Sequence, residues 1–150
     1  MIPQKVYWDA NPFLSFFQAI PNQMDACRQV LEAGERGEIK IVTSALTLTE
    51  VVYIKGRQKM TKKDEDLIQG WFEKPFIILM DVDRRIAERA RQLIWQHESL
   101  KPKDSIHVAS ALVAKVESLH TFDEDLLKLN SRISSLKIIK PSLQQPQLPL

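Results

Sequence analysis

Only one cysteine, Cys27, occurs in 150 residues. A lone thiol excludes a disulfide framework and a thiolate zinc site within the chain, which fits a reducing compartment. We read Cys27 itself as a small buried hydrophobe. Long apolar runs are missing too. The longest strongly hydrophobic stretch, Phe76 to Met80, is far short of the ~20 residues that cross a bilayer. The N-terminus has no basic-then-apolar signal pattern, so a soluble, cytoplasmic protein with no membrane contact is expected. No internal repeat and no domain linker divides the chain. With 44% hydrophobic residues it is long enough for one domain with a real core and too short for two comfortable ones. That domain is expected over residues 1–140. Residues 141–150, rich in Pro and Gln and without periodicity, read as a separate tail.

What the chain does contain is an organising stretch near its start, KVYWDANPF, from Lys5 to Phe13. Val6, Tyr7 and Trp8 are strand formers; Asn11-Pro12 stops the extension and opens a helix. Asp9 therefore sits where a strand ends. In an open α/β sheet this is the edge at which ligand sites form. A carboxylate there also serves as a turn former or helix cap, so the weight of Asp9 depends on other acids at equivalent places.

The remaining pattern alternates strands with helices. After a helix over Pro12–Phe17, Asn22 is expected to cap a helix carrying Met24, Cys27, Val30 and Leu31, which Gly34 and Gly37 end. Ile39–Val42 reads as a strand, and Ser44 as the cap of ALTLTEVVYIKGRQK, with Leu46, Val51 and Ile54 on its apolar face. Thr61 and Asp64 form a capping box before the stripe Leu67, Ile68, Trp71 and Phe72. Phe76–Met80 is a strand apolar enough to be covered on both faces. Asp83 caps the next helix, and Pro102 opens a further one containing Asp104. Ser118–Thr121 is a strand, Phe122 to Leu129 a helix, and Leu136–Ile139 a last strand. Crossovers of this length predict a three-layer α/β/α sandwich with a mainly parallel sheet of about five strands.

In such a fold Asp9, Glu50, Asp104, Asp123 and Asp125 converge on one rim. Several carboxylates at close range repel, and the arrangement makes sense chiefly around a divalent cation; all-oxygen ligation suits Mg²⁺ or Mn²⁺. The formal net charge is +2, and setting four of the acids aside leaves the other surface at about +6, able to accept a polyanion.

DANPF, TSALTLTEVVY, KPKDSIHVASAL and HTFDEDLL, in this order and spacing, resemble the PIN domain of metal-dependent ribonucleases, including the VapC-type toxins of toxin-antitoxin systems. The resemblance covers about residues 4 to 140. It implies a catalytic and metal-binding set of Asp9, Glu50, Asp104 and Asp123, with Asn11 hydrogen-bonding nearby and Asp125 available as a fifth metal carboxylate. It also implies an RNA substrate cleaved to a 5′-phosphate, an antitoxin partner and a homodimer. Pro12 departs from the family, which more often has an ordinary aliphatic residue there; proline is well tolerated in a first helical turn.

Outside the acids, Lys55, Arg57, Lys59, Lys62 and Lys63 form a basic stretch that either tracks an RNA backbone or is a solvated loop. His107, one turn after Asp104 on the same face, reads either as a substrate contact or, in preference, as site support through packing or hydrogen bonding. Asp123 and Asp125 point to nearly opposite sides if both lie on one helix, which favours Asp123 at the site and leaves Asp125 to the helix dipole. A rival enzyme reading takes Asp81 and Asp83 of FIILMDVD as the acids of a haloacid dehalogenase-like phosphatase. Arg85 stands where that motif needs a small residue, and too little chain remains after it. A non-catalytic RNA-binding or protein-interaction module on the same fold is the remaining alternative, with no physical need for the acids.

Overall fold

The computed structural model describes residues 2–52 and 60–143. Its strands are β1 (Gln4–Trp8), β2 (Ile39–Ser44), β3 (Ile77–Met80), β4 (Ser118–His120) and β5 (Lys137–Ile139). They form one five-stranded sheet in the order β3-β2-β1-β4-β5, every pairing parallel. The described helices are α1 (Ala10–Phe17), α2 (Met24–Glu35), α3 (Ala45–Glu50), α4 (Lys62–Phe72), α5 (Arg84–Gln96), α6 (Pro102–Ala114) and α7 (Glu124–Leu127). The chain winds outward from β1 to β3 and then returns to place β4 on the other side of β1. The order therefore reverses between β1 and β4, and in open α/β sheets ligand sites form at the carboxyl ends of the strands at such a switch point.

Alternation along β1 assigns the two cores. Tyr7 faces the layer of α5, α6 and α7, where it packs with Val42, Leu119, Ile86, Leu93, Val108 and Leu126. Val6 and Trp8 face the layer of α1, α2 and α4, with Ile41, Phe13, Val30, Leu31 and Phe72. The register agrees, since Tyr7 is level with Val42 on one side and Leu119 on the other. Burial of this kind, at about 25 cal/mol per Å² of apolar surface, is the main stabilising term. Polar pins cross the sheet as well. Trp8 Nε1 donates to His120 Nδ1 over 3.0 Å, and Trp8 and His120 are paired residues of β1 and β4. Burial lowers His120 to about 4, so the ring is neutral at pH 7 and its Nδ1 is free to accept. Thr43 Oγ1 donates to the Trp8 carbonyl over 2.6 Å, tying the end of β2 to the end of β1.

The expected local signals hold where they depend on adjacent residues. Ser44 accepts from the Leu46 N–H, Asp83 from the Ile86 N–H, and Thr61 with Asp64 makes the full capping box. Other readings are corrected. Asn22 does not cap α2; it takes a left-handed turn at φ 66°, and Gln23 precedes the helix without a side-chain cap. Gly34 does not end α2 but lies inside it. The helix bounded by Ser44 runs only to Glu50, while Tyr53 to Lys59, including Ile54, lies outside the described residues. β3 is an edge strand, with Leu79 39% exposed rather than covered on both faces. Leu67 is 62% exposed and leaves the α4 stripe to Ile68 and Phe72, with Trp71 partly buried. The helix at Phe122 begins two residues later, at Glu124, and ends at Leu127. No described helix is long and apolar enough to cross a membrane.

Gly34 explains how closely α2 sits on the sheet. A Cβ at this position would overlap ring carbons of the buried Phe76. Gly34→Ala should therefore destabilise the protein by about 1–3 kcal/mol through overpacking, although alanine is the better helix former. Urea unfolding checks this, and a stabilised variant would mean that α2 has room to move.

Candidate active site

Asp9 directly follows the central strand, at the switch point between β1 and β4. It is the N-cap of α1, accepting from the Asn11 N–H over 3.2 Å at Oδ1, while Oδ2 accepts from Thr121 Oγ1 over 2.9 Å. The residue is 5% exposed. Burial pushes its carboxyl up to about 7; Asp104 adds to the rise, and His107, Thr121 and the Asn11 amide oppose it. A carboxylate with two hydrogen-bonded oxygens would ordinarily ionise well below neutral pH, so here the loss of water outweighs the bonds.

Two helices bring further acids to the same place. Asp104 lies in the first turn of α6, where the helix dipole favours a negative charge. Burial nonetheless raises its pKa, and Asp123 and Glu50 raise it further. Glu50 is the last residue of α3, and its Oε1 lies 2.6 Å from His107 Nε2. The other ring nitrogen, Nδ1, lies 2.8 Å from the Tyr7 hydroxyl. His107 and Tyr7 are fully buried, and burial holds the Tyr7 phenol well above its ordinary range.

The loop after β4 supplies the remaining side of the rim. Thr121 donates to Asp9 and, through the same oxygen, accepts from the Asp123 N–H over 3.1 Å. Asn11 Oδ1 accepts from the Phe122 N–H over 3.0 Å, so the start of α1 is tied to this loop twice. Asp123 is the N-cap of α7, not part of it. Its backbone is extended, and Oδ1 accepts from the Asp125 N–H over 2.8 Å. Asp125 is exposed in the first turn of α7.

Electrostatically, then, Asp9, Glu50, Asp104 and Asp123 are neighbours, linked through Asp104. Their donor set is all oxygen, which fits Mg²⁺ or Mn²⁺ and not a soft metal. Among the described residues no three His, Cys, Asp or Glu groups stand close enough to make a ready ligand cage. The set therefore fits the ion in chemistry without being closed around one. Lys62 and Lys63 are exposed on α4, Lys62 paired with Asp66 at 3.1 Å. Lys55, Arg57 and Lys59 lie outside the described residues. Asp83 spends an oxygen on capping α5, which accounts for it without phosphatase chemistry.

Sequence reasoning did not single out Thr121 or Tyr7. Thr121 had a usable local signal, because a threonine commonly accepts from the amide two residues on. Tyr7 had none, its partner being 100 residues away.

The PIN domain family profile matches residues 6–131. Similar solved structures include VapBC2 from Rickettsia felis bound to a promoter DNA fragment, with TM-score 0.68 and 16% identity over 90% of this chain and 97% of that one. The VapC20 toxin of Mycobacterium tuberculosis, described as cleaving the sarcin-ricin loop, aligns with TM-score 0.65 and 13% identity over 80% and 91% of the two chains. A toxin-antitoxin complex from Klebsiella pneumoniae gives 0.61 and 22% over 87% and 94%. No curated protein matches the sequence.

Asp9 also makes the metal-free fold pH-dependent. Its carboxyl moves from an ordinary 3.8 to about 7 on folding. Between those values the native state keeps a proton that the unfolded chain has released, so stability falls as pH rises through this window and the full cost is present above it. Asp9→Asn keeps an N-capping side chain and removes the ionisation. Its stability gain over the wild type should grow from near zero at pH 4 to a maximum above pH 7, with a slope of at most about 1.4 kcal/mol per pH unit. Urea unfolding in EDTA across this range measures it, and a difference independent of pH would contradict the assignment.

Proposed function

The chain belongs to the PIN domain family, and on that premise we propose that it is a Mg²⁺- or Mn²⁺-dependent endoribonuclease, the toxin of a toxin-antitoxin pair acting in the cytoplasm. The observation that carries this reading is Asp9, a buried carboxylate held beside other acids at the switch point of the sheet, with its ionisation opposed by burial and by Asp104. A binding module has no use for that opposition, whereas a cation relieves it. In this reading residues 1–140 form the nuclease unit and 141–150 a tail. Asp9, Glu50, Asp104 and Asp123 hold the ion. When bound, it supplies Lewis acidity toward a water molecule and the phosphodiester. The chain's own groups do the rest. Thr121 and the Asn11 amide fix Asp9, the α7 N–H groups fix Asp123, and the exposed Lys62 and Lys63 meet the phosphate backbone, with Lys55, Arg57 and Lys59 assigned the same part. Cleavage leaves a 5′-phosphate and a free 3′ oxygen.

Two partners belong to the proposal. One is an antitoxin, supported by similar structures described as toxin-antitoxin complexes. The other is a second copy of the chain. Phe13 and Phe72 are internal, packed at 5.0 Å, which leaves Phe16, Phe17, Trp71 and the exposed Leu67 as an apolar cleft between α1 and α4.

The purified protein should cleave single-stranded RNA with Mg²⁺ or Mn²⁺ and not in excess EDTA. Asp104→Asn should abolish cleavage, and Asp123→Ala should reduce it far more than Asp125→Ala, each with an unchanged circular dichroism spectrum. Undiminished cleavage in EDTA would sink the reading, and equal losses at Asp123 and Asp125 would place both carboxylates at the ion. Sedimentation at tens of micromolar should give a dimer that Leu67→Glu converts to a monomer; a monomeric wild type ends the self-association part.

A further inference from the structure

Glu50 differs from its neighbours in how it is held. Asp9 and Asp123 are fixed by backbone amides at helix starts, which hardly move. Glu50 is the final residue of a six-residue helix whose next residue, Val51, already leaves helical geometry at ψ 58°. Its side chain, 19% exposed, carries three rotatable bonds, and a cation arriving there would have to order them. They are ordered already. His107 Nε2 holds Oε1 at 2.6 Å, and His107 is itself held by the Tyr7 hydroxyl at 2.8 Å.

The chain of contacts joins three separate elements. Tyr7 belongs to the central strand, two residues before Asp9. His107 lies on α6 one turn after Asp104, and Glu50 ends α3. For a neutral imidazole, a hydroxyl beside Nδ1 and a carboxylate beside Nε2 select one tautomer, because the carboxylate only accepts. We infer that Tyr7 and His107 are positioning residues: the Tyr7 O–H donates to Nδ1, the Nε2–H donates to Glu50 Oε1, and Oε2 is left free to take up the cation. This rests on the metal-site reading above and extends it to residues that touch neither ion nor RNA. Partners of this kind, one bond behind a ligand, typically change metal affinity 10- to 100-fold when removed.

The test uses RNA-free protein. Mn²⁺ binding is measured by titration calorimetry and by the electron paramagnetic resonance signal of the free ion, for the wild type, His107→Leu, His107→Gln and Tyr7→Phe, each checked for folding by its thermal melt. His107→Leu should weaken Mn²⁺ binding about 10- to 100-fold. His107→Gln, which keeps an N–H donor toward Glu50, should recover most of the loss, and Tyr7→Phe should show a smaller loss. Long-range ¹H–¹⁵N correlation should find His107 as the Nε2–H tautomer. With RNA, His107→Leu should regain its kcat at excess Mn²⁺ with KM for RNA unchanged. Equal Mn²⁺ affinity in the wild type and His107→Leu overturns the relay alone. If His107→Leu does not fold, wild-type affinity in Tyr7→Phe together with the opposite tautomer overturns it. A wild type that takes up no Mn²⁺ removes the metal site, and the relay with it.

Discussion

A carboxylate at the end of the innermost strand is the constraint that the rest of the molecule answers to. Strand β1 is covered on both faces by helices and flanked on both edges by strands, so Asp9 emerges from the driest part of the protein. Water cannot solvate it, and protein groups have to. Helix α1 starts at once because Asp9 offers the cap it needs, and the loop after β4 is drawn in because Thr121 satisfies the other oxygen. Asn11 returns the tie by accepting from Phe122. These bonds lower the electrostatic burden without removing it, since desolvation still outweighs them.

Legibility in the sequence tracks the range of each interaction. Caps at Ser44, Thr61 and Asp83 are readable because donor and acceptor lie within three residues of one another. The alternation of strands and helices is readable because periodicity is local as well, and the PIN resemblance adds the order of the acids. Asn22 misleads because asparagine suits both an N-cap and a left-handed turn, and the geometry of the neighbouring residues decides between them. Gly34 looks like a helix end because its purpose is a contact with Phe76, 42 positions later, which no local window contains. His107 is recognisable as support but without its partners, which come from β1 and α3.

The helix ends and the acids are not separate features. Asp9 and Asp123 each cap the start of a helix with one oxygen, and Asp104 sits where the α6 dipole is positive. Each acid that the proposal gives to the ion, apart from Glu50, thus already has an electrostatic reason to be where it is. That is why the cluster persists in the fold although Asp123 and Glu50 oppose the ionisation of Asp104. Glu50, lacking a helix start, has an imidazole instead.

Strand β1 places Tyr7, Trp8 and Asp9 in succession into one core, the opposite core and the rim. Three adjacent codons therefore address three compartments, and their reading frame along the strand matters more than any one of the side chains. A conservative exchange at Tyr7 or Trp8 disturbs one compartment. Losing or gaining a single residue before Asp9 would turn the aromatics to the wrong faces and shift the acid from its seat in the same step. The segment is closed to changes of length, the reverse of what holds for most surface loops.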